Sequence, residues 1–273
     1  MPKSLRSTLA LLSLLLSSSA ALAVGKCEHL VATGNPEYPP YLWRDPQNPQ
    51  QLIGANADLL KEIGKQLGVT IDVLYTGPWS RAQNEARSGR VDLIAGAFLT
   101  LPRLETMDYV HPAFFTTSSV VWVRKGEAFE YNGWDDLRGR TGGTLVNNSF
   151  GQAFDSFAKA NLSIEEVPSL TQALQKLLLG RTDYVIYERY PGAALAATLG
   201  MQEDLETLEP PISSEGLYLT LSHNSACNEP WLRGQLAKKM TELSAAGLPD
   251  TLLQRNLERW KEQQMQPASA PNQ

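Results

Sequence analysis

Apolar positions along the chain change period several times, and each change predicts an element. In "NADLLKEIGKQLG", Leu59, Leu60, Ile63 and Leu67 recur three and four residues apart, the face of a helix. Asn56 stands at its capping position and Gly68 at its stop. Short apolar runs on either side, residues 30–33 and "VTIDVLY", read as strands. Residues 35–43 read as a loop, because Pro39 and Pro40 exclude a ladder or a helix. "WSRAQNEARSGRVDLIAGA" then predicts a helix opened by a capping box of Ser80 and Gln83, closed at Gly89, and followed by a strand over 91–95.

The same pattern is written again. "PSLTQALQKLLLGRTDYVIYE" carries a capping box of Ser169 and Gln172, an apolar face of Leu170, Leu174, Leu177 and Leu178, a stop at Gly180 and a strand over 184–187. Gly89-Arg90-Val91-Asp92 and Gly180-Arg181-Thr182-Asp183 are two copies of one helix-to-strand hinge. Glycine supplies the left-handed turn, and aspartate leaves it with a backbone hydrogen bond of its own. The chain therefore has two α/β halves, the second starting with a strand at 141–146 and a helix in "NSFGQAFDSFAKAN". Trp231, Leu232, Leu236, Met240 and Leu243 outline a later helix entered at Pro230, and "PDTLLQRNLERW" outlines another. Short strands alternating with helices imply mostly parallel sheets flanked by helices. In such sheets, ligands bind beyond the carboxyl ends of the strands. Arg103 comes there after the first repeat, and the second repeat ends on Glu188. One half offers a positive charge and the other a negative one.

The first 23 residues obey a different rule. Lys3 and Arg6 precede an apolar run over 9–16 and a small-residue end, Ala21-Leu22-Ala23, the layout of a secretory signal peptide cleaved near Ala23. The run is too short to span a bilayer. Lys26, not a small residue, precedes Cys27, which argues against a lipid-anchored cysteine. A periplasmic location is expected. There Cys27 and Cys227 are more readily paired than free, which would tie the start of the mature chain to a point far along it. The formal net charge of −5 excludes the basic footprint of a nucleic-acid binder. The tail, residues 266–273, is polar and proline-rich and is expected to be disordered.

Candidate chemistry is sparse. His29, His111 and His223 lie far apart without metal-ligand spacing, and there is neither a Walker loop nor a G-x-S-x-G elbow. "GRTGG" lacks the G-K-[ST] ending and reads as a turn into a strand. No cofactor and no metal are expected. Tyr38, Tyr41, Trp43 and Trp79 cluster near predicted strand ends, where aromatic side chains serve as core or as a wall for a small ligand.

"YPPYLW", "GANADLLKEIGKQLGV", "SGRVDLIAGAFLTLPR", "MDYVHPAF" and "GRTDYVIYE" together resemble the amino-acid type of periplasmic solute-binding proteins of ABC importers, solute-binding family 3. The resemblance implies a monomeric binding protein, not an enzyme, that clamps a small zwitterion between two lobes and presents it to a permease. Lobe 1 would be residues 24–113 and 216–265 and lobe 2 residues 117–212, with "AFFTT" and "ISSEG" as the crossing segments. Arg103, in Thr100-Leu101-Pro102-Arg103, would grip the ligand carboxylate. The Gly96 carbonyl would accept from the ammonium, and Tyr38 and Trp79 would be walls. Ser149, in the loop 147–151 at a helix start, would assist at the carboxylate. Three positions depart from the family pattern: Glu188 stands for the usual aspartate at the ammonium, Phe98 for a serine or threonine, and Ala55 for a phenylalanine. The same fold also serves sensor domains and cyclohexadienyl dehydratases, in which case Glu188 would become a general acid.

Overall fold

A computed structural model describes residues 27–265, so the segment read as a signal peptide and the tail from 266 onward lie outside the described residues. In chain order the elements are β1 (His29–Thr33), β2 (Glu37–Tyr38), β3 (Leu42–Arg44), β4 (Leu52–Ile53), α1 (Ala55–Leu67), β5 (Thr70–Val73), α2 (Trp79–Arg87), β6 (Leu93–Phe98) and the short α3 (Leu101–Leu104). The long strand β7 (Met107–Arg124) leads to β8 (Thr141–Leu145), α4 (Gln152–Asn161), β9 (Ser163–Val167), α5 (Leu170–Leu178), β10 (Tyr184–Glu188) and α6 (Arg189–Thr198). A second long strand, β11 (Leu205–Ser222), precedes α7 (Pro230–Ala245) and α8 (Leu248–Met265).

Eight strands form one sheet in the order β5-β1-β6-β11-β7-β10-β8-β9. Its pairs are parallel except those made by β7 and β11. These two strands pair with each other from end to end and divide the sheet into two α/β halves. Their register breaks twice. Residues 111–114 of β7 stand opposite Tyr218 alone, and residues 209–212 of β11 stand opposite Val120 alone. Between the breaks, the two strands run paired from Phe115 to Ser119 and from Ser213 to Leu217.

The repeated phrase has a tertiary reason. Asp92 accepts from the Val31 amide at 2.8 Å, and Asp183 accepts from the Thr141 amide at 2.6 Å. In return the Asp92 amide donates to the Val31 carbonyl and the Asp183 amide to the Thr141 carbonyl. Each aspartate thus fixes the neighbouring parallel strand at the start of its own, rather than closing the turn it leaves. Gly89 and Gly180 are left-handed, as the turn requires.

Several local readings shift. Helix α1 is entered from Gly54, not capped by Asn56: Gly54 has φ +132°, and a Cβ there would lie 2.4 Å from the Tyr41 carbonyl oxygen. Asn56 instead donates through Nδ2 to the Ala95 carbonyl at 2.5 Å. Helix α2 starts at Trp79 after Pro78, so Ser80 lies inside it and makes no capping box with Gln83. The Ser169 cap is present, its hydroxyl accepting from the Gln172 amide. The predicted loop over 35–43 holds the short antiparallel pair β2–β3, with the prolines at its turn. Strand β6 runs further than 91–95, through Phe98, because β11 continues to pair with it. Trp231 is 40% exposed, while Leu232, Leu236, Met240 and Leu243 form the buried face of α7.

Candidate functional site

Both oppositely charged residues reach the same cavity because the sheet is split. Arg103 sits on α3, just past the carboxyl end of β6, and Glu188 closes β10 in the other half. Together with Tyr38, Trp79, Gly96, Phe98 and Ser149 they line one cavity, so all seven residues singled out in the sequence converge. Asn35, Leu42, Asn56, Asn148 and Leu217 line it too; sequence reading placed Asn35 and Leu42 in a loop, Asn56 at a cap and Asn148 in the 147–151 loop, and did not single out Leu217.

Arg103 is held, not loose. Its Nη1 donates to the Phe98 carbonyl at 3.0 Å, and Nη2 reaches the Asn147 carbonyl and Gln83 Oε1, each at 3.4 Å. Its guanidinium lies 5.5 Å from the Trp79 ring centre, within cation–π range. Tyr109 donates to the same Phe98 carbonyl at 2.7 Å. Phe98 therefore contributes its backbone to the positioning of Arg103 and its buried ring to the wall.

Gly96 occupies a bulge. Ala95 and Gly96 of β6 face only Leu219 of β11, and Gly96 has φ +134°. A Cβ there would come within 2.8 Å of Asn56 Nδ2. The bulge turns this stretch of backbone out of the ladder beside the cavity.

Ser149 is engaged elsewhere. Its hydroxyl donates to Asp155 at 2.5 Å and accepts from the Gly151 amide, while the Phe150 amide goes to Asp155. The Phe150 and Gly151 amides before α4 are thus already partnered, and a buried side-chain donor of this loop without a partner is Asn148 Nδ2.

Three buried polar atoms of the cavity lining have no partner, Asn56 Oδ1, Trp79 Nε1 and Asn148 Nδ2, while the Tyr38 hydroxyl lies near enough to the Glu188 carboxyl to act on its titration. Buried polar groups are ordinarily hydrogen-bonded. One orphan would mean little, but three around one cavity point to a polar occupant. Burial pushes the Glu188 carboxyl up to about 7; its own backbone amide, the charge of Arg103 and the Tyr38 hydroxyl pull the other way without cancelling it. Among the described residues no group of three His, Cys, Asp or Glu could hold a metal, and no helix is long and apolar enough to cross a membrane.

The profile of the bacterial extracellular solute-binding proteins, family 3, matches residues 30–259. The chain belongs to that family. No curated protein matches the sequence. Among solved structures, a variant of ArgBP from T. maritima is similar at 22% identity and TM-score 0.70, over 86% of this chain and 96% of that one. An amino acid ABC transporter substrate-binding protein from Streptococcus pneumoniae, bound to L-arginine, is similar at 20% identity and TM-score 0.70, over 85% and 96%. A histidine kinase sensor domain described as similar to periplasmic binding proteins matches at 20% identity and TM-score 0.71, over 85% and 97%. At these identities the likeness establishes the shared two-lobed fold. Family membership makes solute binding the role of this family 3 protein.

Proposed function

We propose that this family 3 protein is the periplasmic receptor of an ABC importer and captures an amino acid or related small zwitterion by closing two lobes on it. Lobe 1 is residues 24–113 and 216–265, lobe 2 is residues 117–212, and β7 and β11 cross between them near 113–117 and 212–216. The two register breaks flank this crossing, where lost ladder bonds make bending less costly. The observation that carries the reading is the opposition of Arg103 and Glu188 in one cavity with unpartnered donors and acceptors between them. Arg103, Trp79 and Asn148 take the anionic end of the ligand, and Glu188, Asn56 and the Gly96 backbone take the cationic end. A guanidinium suits the first task because its fork matches both carboxylate oxygens. Bonds from both lobes favour the closed state by the ligand's differential affinity for it.

The test is a thermal-shift screen of the mature protein, stripped of carried-over ligand, against amino acids, amines and small carboxylates. A ligand at about 1,000 times its Kd adds about 4 kcal/mol, and each kcal/mol moves the midpoint by roughly 2–4 °C at this size. With the hit in hand, Arg103→Ala is expected to weaken binding about 100-fold, as truncation of one partner in a desolvated charge pair costs about 2–5 kcal/mol. Unchanged affinity in calorimetry would refute the clamp. Hits confined to carboxylates without an amine would remove the zwitterion. A second reading, delivery of the bound state to a membrane sensor, draws on the kinase sensor domain of the same fold. Co-purification with a permease rather than a kinase separates the two.

A further inference from the structure

Beside the cavity lies a set of contacts between the two halves, one of them made by the cavity-lining Asn35. Glu37 reaches from β2 to the start of α5, where Oε2 accepts from the Leu170 amide at 2.7 Å and Oε1 from the Thr171 hydroxyl at 3.1 Å. Ser169 already caps this helix through the Gln172 amide, so Glu37 meets a donor that the local cap leaves over. Next to it, the Tyr187 hydroxyl accepts from Asn35 Nδ2 at 2.8 Å and donates to the Glu37 carbonyl at 3.1 Å. Tyr187 is fully buried, and its ring meets that of Tyr38 edge-on, 6.3 Å between centres.

The order of residues gives these contacts their meaning. Successive side chains on a strand point to opposite faces. On β2, Tyr38 lines the cavity and its neighbour Glu37 turns to α5. On β10, Glu188 lines the cavity and its neighbour Tyr187 turns to Asn35 and Glu37. Each strand thus carries one cavity residue and one bridging residue side by side. A rotation that separates Tyr38 from Glu188 must also break the bridge.

We infer that Glu37, with Asn35 and Tyr187, forms a latch that holds the two lobes together whatever the cavity contains, and so positions the cleft and sets how fast it reopens. This rests on the two-lobe reading above, and not on the identity of the ligand. A carboxylate suits the position because a helix N-terminus favours negative charge. Burial outweighs these donors and raises the Glu37 carboxyl above its ordinary range, so charging the latch carries a desolvation cost that limits its strength.

The experiment uses the mature chain with no ligand added, and reads amide exchange at Leu170 by NMR together with small-angle scattering. In Glu37→Ala the Leu170 amide is expected to exchange at least about tenfold faster, the worth of a charge-assisted hydrogen bond, with a larger radius of gyration and protection of the core strands retained. Glu37→Gln keeps one acceptor oxygen and should fall between. Tyr187→Phe should show the same opening without touching the α5 donors. Exchange and scattering unchanged in Glu37→Ala and Tyr187→Phe would overturn the latch. So would faster exchange spread evenly through α5 and the core, since Glu37 would then merely stabilise the fold. Because no ligand enters the test, a failed ligand screen leaves its result readable.

Discussion

Glu188 carries a conflict between stability and binding. Its carboxyl is buried, and burial raises its pKa from the ordinary 4.5 to about 7. A folded-state pKa above the unfolded one means the folded form holds its proton more tightly. The stabilisation linked to Glu188 is therefore complete below about 4.5 and is lost as pH rises through about 7. Glu188→Gln removes this dependence. Its ligand-free melting midpoint should exceed that of the wild type at pH 8 by several degrees, from at most about 3 kcal/mol, and meet it near pH 4.5. Differential scanning calorimetry across that range decides the point: parallel curves would mean the charge is compensated. Binding of a cationic group should run the other way and weaken as pH falls below about 7, because protonation removes the attraction. Burial penalises the charge of Arg103 as well and lowers its pKa, but Phe98, Asn147 and Gln83 hold the guanidinium in place before any ligand arrives.

At the scale of elements, two glycines decide how the cavity is framed. Gly54 admits the chain into α1 where the Tyr41 backbone leaves no room for a Cβ, and Gly96 makes the bulge that breaks β6 out of its ladder. Gly54→Ala must move backbone and also hold an alanine at φ +132°. A loss of about 1–3 kcal/mol or more is expected, seen as a lower urea midpoint with an unchanged slope. An unaltered midpoint would mean that α1 shifts freely. The two Gly-Arg-x-Asp hinges make a different element-level device. Their aspartates dock the strand start against its parallel neighbour in both halves, which explains why the phrase recurs at the same structural place. The pattern of residues made the device visible, but its partners, Val31 and Thr141, became known only from strand order.

Across the whole molecule, the chain leaves the first half of the sheet along β7 and returns along β11. The Cys27–Cys227 disulfide then joins the segment before β1 to the segment after β11, across 200 residues. It closes the half that is built from both ends of the chain. Cross-linking so long a loop stabilises by about 2–5 kcal/mol. The Cys27→Ser, Cys227→Ser double variant should melt several degrees lower while keeping its ligand specificity, because neither cysteine lines the cavity. Calorimetry of the variant with and without the ligand found in the screen measures both. A large loss of affinity at temperatures where the variant is folded would show that the bridge also orients the lobes.

Sequence alone determined the apolar faces of α1 and α5, the paired cysteines, the doubled αβ unit and the two opposed charges, because periodicity, turn chemistry and placement after a strand are local properties. It also brought out seven residues that share a cavity, although family likeness rather than spacing singled out most of them. Tertiary structure decided the rest. Asn56 has the composition of a cap and becomes a cavity acceptor because Gly54 takes the entry to the helix. The Ser149 hydroxyl is taken by Asp155, and its neighbour Asn148 lines the cavity beside it. Asn35, Leu217 and the Glu37 bridge depend on strands that meet only when β7 and β11 set the two halves against each other. Spacing in a chain states which residues share a face of one element. Register, bulges and crossing strands decide which faces then confront one another, and those are fixed by contacts between residues far apart in sequence.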